Sequence, residues 1–202
     1  MKHASTQALF DYWNEKRGNR LAPERGDIDP AAIRHALGDT FMLAADFVDQ
    51  LRFRLAGTRV CALFCREIKG EEFQSLWSGP SAQLIEDLLN VVNNETVGAV
   101  AGVVGRTEDG SEIDLEFLLL PLAHVGHARI RALGVLVPID PPYWLGEKPV
   151  VALKLGTLRH IGSELENIDA PRLSHATEDV ELRHGFVVYS GGRELPSGKR
   201  TG

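Results

Sequence analysis

The segment from Ile113 to Leu122 constrains the fold more than any other stretch of the chain. Ile113, Leu115, Phe117 and Leu119 alternate with Asp114 and Glu116, the two-residue period of a strand, but Leu118 and Leu120 make the second half apolar on both faces. A strand of this kind has no face to offer to water. It demands a sheet covered above and below, so the rest of the chain must supply two further layers.

The flanking runs provide the sheet. Val97 to Thr107 leads into it across Glu108-Asp109-Gly110, where Asp-Gly signals a tight turn, and Arg129 to Ile139 follows. Upstream, Phe41, Leu43, Ala45 and Phe47 alternate along one run and Leu51, Phe53 and Leu55 along the next, with Asp49-Gln50 as a hairpin turn. The spacing predicts strands over 41–48, 51–56, 97–107, 113–122 and 129–139. Pro149 to Leu158 alternates weakly and fits either a sixth strand or an extended arm.

One covering layer is a helix over 80–95. Leu84, Ile85, Leu88, Leu89 and Val92 recur at helical steps, with Gln83, Glu86, Asp87 and Asn90 on the far side. Arg59 to Trp77, broken by Gly70, fits short helical turns. The other layer begins at the N-terminus, where Ser5 reads as an N-cap, Leu9, Phe10 and Trp13 form an apolar stripe, and Lys16 and Arg17 precede Gly18. Asn19 to Gly26 reads as a connector. Asp29 before Pro30, then Ile33, Leu37 and Gly38, matches the cap and stop signals of a second, two-turn helix.

Composition excludes several classes. With 22 Lys+Arg against 28 Asp+Glu the net charge is −6, the opposite of a phosphate-binding surface, so nucleic acid is not expected as a partner. Two cysteines give no disulfide framework, and neither a signal-peptide-like run nor an apolar stretch long enough for a membrane span occurs. The expected setting is reduced and cytoplasmic.

The element order is helix, helix, β, β, short helices, long helix, β, β, β, which is the PAS order. The text itself resembles a bacterial single-domain PAS-like family known mainly as domains of unknown function. The residues that carry the resemblance begin with Tyr12-Trp13, Arg17-Gly18-Asn19-Arg20, Pro23, Arg25 and Asp27-Ile28-Asp29-Pro30. They continue through Phe53-Arg54-Leu55-Ala56-Gly57-Thr58, Arg66-Glu67-Ile68-Lys69-Gly70 and Leu76-Trp77 to Val187-Val188-Tyr189-Ser190-Gly191-Gly192. Cys65 departs from it, standing where such relatives would carry glycine. The resemblance implies an α+β fold, a five-stranded antiparallel sheet ordered 2-1-5-4-3 with helices on one face and an N-terminal flanking helix. It divides the chain into a flank (1–38), a PAS-like core (39–160) and a polar tail (161–202) with a β-prone segment near 186–189. It also implies a sensory or protein-docking role with no enzymatic activity.

Sites must be weighed apart from the fold. Phe53, Leu55, Phe117, Leu119 and Leu136 are read as inward positions facing Leu84, Leu88 and Val92, enclosing either a packed core or a pocket for a small apolar ligand. Cys61-x-x-x-Cys65 and His124-x-x-His127 hold the residue types of a zinc site, but the sheet order puts the two pairs at opposite ends, so no metal is expected. No cofactor is expected either. The context Val60-Cys61-Ala62-Leu63-Phe64-Cys65-Arg66 lacks the polar residues of a flavin-binding PAS relative, and the 80–95 helix has no histidine for haem. Gly102-x-x-Gly105 lacks a phosphate loop's fingerprint, and no hydrolase, metalloprotease or kinase motif occurs. Asp114 and Glu116, like Arg52 and Arg54, read as solvated surface.

Leu9, Phe10 and Trp13 are the interface candidates. Their stripe is expected to be shared with the outer sheet face in a homodimer, the alternative being that it folds back on Leu118, Leu120, Leu133 and Val135. Glu164 to Glu181 lacks periodicity and is expected to be poorly ordered, while Phe186 to Tyr189 is expected to dock, either as a structural strand or as a tethered segment that covers a binding surface until a partner displaces it. The functional expectation is a non-enzymatic sensor or adaptor that docks to signalling proteins of the kinase or response-regulator class. A small-molecule-binding module whose ligand modulates such docking is the alternative.

Overall fold

The computed structural model describes residues 1–45, 50–123, 131–161, 180–183 and 186–189. A central sheet is built from β1 (Thr40–Ala45), β2 (Leu51–Ala56), β3 (Gly98–Thr107), β4 (Glu112–Pro121), β5 (Arg131–Pro138) and β6 (Val150–Ile161). Its order is β2-β1-β5-β4-β3-β6, and every neighbouring pair is antiparallel. The sheet therefore has six strands and not five. Val150–Ile161 pairs with β3 along nearly its whole length, which settles the strand-or-arm question for that segment. Phe47, His124 and His127 lie outside the described residues.

Helix α3 (Pro80–Glu95) and the short helix α2 (Thr58–Leu63) cover the inner face. Helix α1 (Ala4–Arg17) covers the outer face together with the turns that follow it. Two apolar clusters result, one on each side of the sheet. β4 feeds both: Leu115, Phe117 and Leu119 point into the inner cluster, Leu118 and Leu120 into the outer. This is the two-sided burial that its sequence demands.

Residues 29–38 do not form a two-turn α-helix. Asp29 Oδ1 accepts the Ala31 N–H at 2.9 Å, and three-residue bonds follow from Ala32 N–H to Asp29 O and from Ile33 N–H to Pro30 O. The aspartate side chain supplies a local partner that tightens the chain into consecutive turns, ending in a 3₁₀ turn at Leu37–Asp39. α1 also begins differently, because Nδ1 of His3 accepts the Ser5 N–H at 3.1 Å and acts as the cap while the Ser5 hydroxyl is used elsewhere.

Both sheet edges are guarded. On β2, the Phe53 N–H reaches Glu71 O, and the N–H groups of Gly70 and Phe73 reach Phe53 O and Leu51 O, so residues 70–73 strap the edge. On β6, Ser78 N–H donates to Leu153 O at 3.1 Å and Ser81 Oγ accepts the Leu155 N–H at 2.9 Å. Strand edges left open invite pairing with other chains. In the tail, β7 (Val180–Arg183) and β8 (Phe186–Tyr189) pair as an antiparallel hairpin, so the β-prone run near 186–189 is a strand; 162–179 lie outside the described residues.

Candidate functional site

The inner layer is dominated by five rings. Phe41, Phe73 and Phe117 stack on one another with centroids 5.9 and 6.0 Å apart, Phe53 stands edge-on to Phe41 and Phe73, and Trp77 stands edge-on to Phe73 and Phe117. Gly134 on β5 makes this possible. It faces Phe41 in the strand register, and a Cβ there would come within 2.3 Å of the Phe41 ring. Phe73 and Trp77 are the members that periodicity misses. They lie in the broken stretch before α3, and their four-residue spacing is the one signal that could have flagged them.

Of the pocket candidates, Phe53, Leu88, Val92, Phe117, Leu119 and Leu136 do gather in this inner layer. Leu55 and Leu84 do not; each is 43% exposed. For Leu55 the reason is a bulge: Leu43 pairs with Phe53 but Met42 with Leu55, so Arg54 is the extra residue and everything after it changes face. For Leu84, the buried stripe of α3 runs through Ile85, Leu88, Leu89 and Val92. Leu84 lies at its margin.

Two buried polar groups in this layer stand out. The indole of Trp77 is 5% exposed, and neither its Nε1–H nor the Gln74 Oε1, one 3₁₀ turn earlier, has a hydrogen-bond partner among the described residues.

On the outer face, Leu9 and Trp13 are buried against Leu118, Leu120, Leu133 and Val135 of their own sheet, so they are not available as a surface for a second copy. Phe10 is partly buried and stacks on Trp13. Trp13 Nε1 donates to Pro121 O at 2.8 Å, and the Tyr12 hydroxyl accepts the Asp29 N–H at 2.7 Å, which fastens the 27–30 turn to α1.

Two carboxylates lock the start of α1. Glu116, read above as solvated, is only 5% exposed and accepts the backbone N–H groups of Lys2 and His3 at 2.6 and 3.0 Å. Asp39, 2% exposed, accepts the Ser5 hydroxyl at 2.6 Å and a two-pronged bond from Arg59. Burial pushes both carboxyls upward, but these donors outweigh it and hold both below their ordinary values. Both acids hold the fold together. Arg52, likewise read as solvated, is half-buried and donates to Gly70 O, steadying the edge strap; Arg54 is exposed.

Cys61 is half-buried at the margin of the inner cluster, where burial, more than the neighbouring Glu67, raises its thiol, and Cys65 is exposed. Among the described residues no group of His, Cys, Asp and Glu is placed to hold a metal ion. No helix of the described residues is long and apolar enough to cross a membrane.

A sheet in this order, with helices packed on its inner face and a flanking helix on its outer one, is an α+β PAS-type fold. A family model described as a PAS domain matches residues 1–137, and the chain belongs to that family. The match includes α1 and the turns behind it. Two solved structures align with part of the chain. One is the dark structure of the blue-light photoreceptor Aureochrome1 LOV, at 15% identity over 56% of this chain and 83% of that one with a TM-score of 0.43. The other is an RNA-binding Light-Oxygen-Voltage receptor, at 15% identity over 58% of this chain and 35% of that one with a TM-score of 0.41. No curated protein matches the chain. The expectation that nucleic acid is not a partner rests on net charge alone.

Proposed function

We propose that this PAS-type sensory module works as a non-enzymatic adaptor, docking to bacterial signalling proteins of the kinase or response-regulator class in a cytoplasmic setting. The observation that carries the reading is the five-ring cluster, which ties β1, β2, β4 and the 73–77 segment into one packed layer. A layer packed in this way suits signalling through a surface better than through a bound chromophore. A homodimer would have to use some surface other than the Leu9 and Trp13 stripe.

A second reading is favoured by the unpartnered Trp77 Nε1–H and Gln74 Oε1, because a buried donor and acceptor without partners cost stability and a small polar molecule could satisfy both. Native mass spectrometry with an absorption spectrum of the purified protein separates the two. Docking predicts the polypeptide mass alone and no band beyond the aromatic absorption. A retained small molecule, lost in Trp77→Phe, would replace the docking reading with the ligand-binding one.

A further inference from the structure

We propose that Asp39 couples the inner layer to the outer one, so that a displacement of α2 is felt at the start of α1. The sheet separates the two apolar clusters, and Asp39 stands at its end, in the turn just before β1. Its carboxylate bonds to both sides. Oδ1 accepts Nε of Arg59 at 2.6 Å and Oδ2 accepts a terminal nitrogen of the same guanidinium at 2.8 Å, while Oδ2 also accepts the Ser5 hydroxyl at 2.6 Å. Arg59 sits in the first turn of α2, whose Val60 and Leu63 are buried in the inner cluster. Ser5 sits in the first turn of α1, whose Leu9 and Trp13 are buried in the outer one.

The surroundings leave the link little slack. A Cβ on Gly38 would come within 2.7 Å of the Arg59 guanidinium carbon, so that group lies directly on the Gly38 backbone. A Cβ on Gly57 would come within 2.2 Å of Leu37 O, so α2 starts in contact with the turn that carries Asp39. The same guanidinium donates to His35 O at 3.1 Å. A planar fork on a carboxylate fixes angle as well as distance. If α2 shifts, Asp39 either turns with Arg59 and draws away from Ser5, or keeps Ser5 and loses the fork. A buried carboxylate gives up either bond only at a cost, so both helices bias one shared group.

The coupling itself stands on geometry alone. Its use in signalling rests on the sensory reading above, and the test involves neither ligand nor partner, so failure of one leaves the other intact. Hydrogen exchange of the α1 amides would be measured in the wild type, Arg59→Gln, Arg59→Lys, Ser5→Ala and the double variant Ser5→Ala with Arg59→Gln. Arg59→Gln is expected to speed exchange in α1 about tenfold, the size of losing one buried hydrogen bond to a charged group, with β4 and β5 unchanged. Arg59→Lys, which keeps charge but not the fork, should give a smaller rise confined to α1. In the Ser5→Ala background Arg59→Gln should add less than about twofold, because the link is already cut. Unchanged α1 exchange, effects that simply multiply in the double variant, or a uniform rise across the sheet in both Arg59 variants would each overturn the proposal.

Discussion

Cys65 occupies a backbone position that belongs to glycine. α2 ends with the Arg66 N–H bonded to Cys61 O and the Cys65 N–H bonded to Ala62 O, the paired bonds of a Schellman stop, which places Cys65 in the left-handed region at φ 51°. Cys65→Gly is expected to stabilise the protein by about 0.5–1 kcal/mol after glycine's larger unfolded-state entropy is subtracted. Cys65→Ala, which keeps the Cβ, should be near neutral; denaturant midpoints of the two variants check this. The mismatch is legible in the sequence because the turn residues around Cys65 resemble relatives that carry glycine there. The roles of Asp39 and Glu116 are not legible. Alternation places Glu116 on the face away from Phe117, and only the return of the N-terminal segment onto that face buries it. Because both carboxyls titrate below their unfolded values of about 3.9 and 4.3, their contribution is complete above those values and is lost as pH falls through the depressed native ones. Stability should therefore decline below about pH 5, and less steeply in Glu116→Gln or Asp39→Asn, which have already lost that contribution at neutral pH. Denaturant midpoints between pH 7 and 3 measure the difference.

At the scale of elements, α1 has 14 residues, too few to persist alone in water, so its stability comes from the face it covers. Trp13→Glu puts a charge where the indole packs and donates to Pro121 O, and is expected to cost more than about 3 kcal/mol. Phe10→Glu, three residues earlier but at the partly buried margin, should cost less than about 1 kcal/mol. Equal losses in urea unfolding would mean that α1 does not pack as described. The stripe was readable from its spacing, and so was a face able to receive it; which copy of the chain supplied that face was not, since a helix covers its own sheet or a neighbour's with the same residues. α3 and the last three strands were legible because each buries a long periodic face. The bulge at Arg54 is hidden, because a one-residue insertion in a strand leaves no mark in hydrophobic alternation, and alternation alone therefore assigns Leu55 to the inner face.

For the whole molecule, the matched family region stops at residue 137, one residue before the end of β5, yet the sheet continues beyond it. β6 brings Val150 and Leu153 into the inner cluster, the loop before it adds Trp144, and β3 is paired by β6 along one side and by β4 along the other. A chain ending at residue 140 would lose three buried side chains, expose the edge of β3, and strand the Ser78 and Ser81 groups that guard β6. Losing even one or two of those side chains costs several kcal/mol, comparable with the total stability of an ordinary domain of about 5–15 kcal/mol. We therefore expect the 1–140 truncation to be unfolded or aggregated. A chain ending at residue 163 keeps the six-stranded sheet and both clusters, and loses the β7–β8 pair, which forms its own two-stranded sheet and touches the main one at β6. Its melting temperature should fall within a few degrees of the full chain's, since a change of about 1 kcal/mol shifts a protein of this size by about 2–4 °C. Circular dichroism melts of the two truncations decide the matter. A folded 1–140 chain would make β6 an ornament on a five-stranded domain, and a large loss in 1–163 would make the hairpin part of the fold.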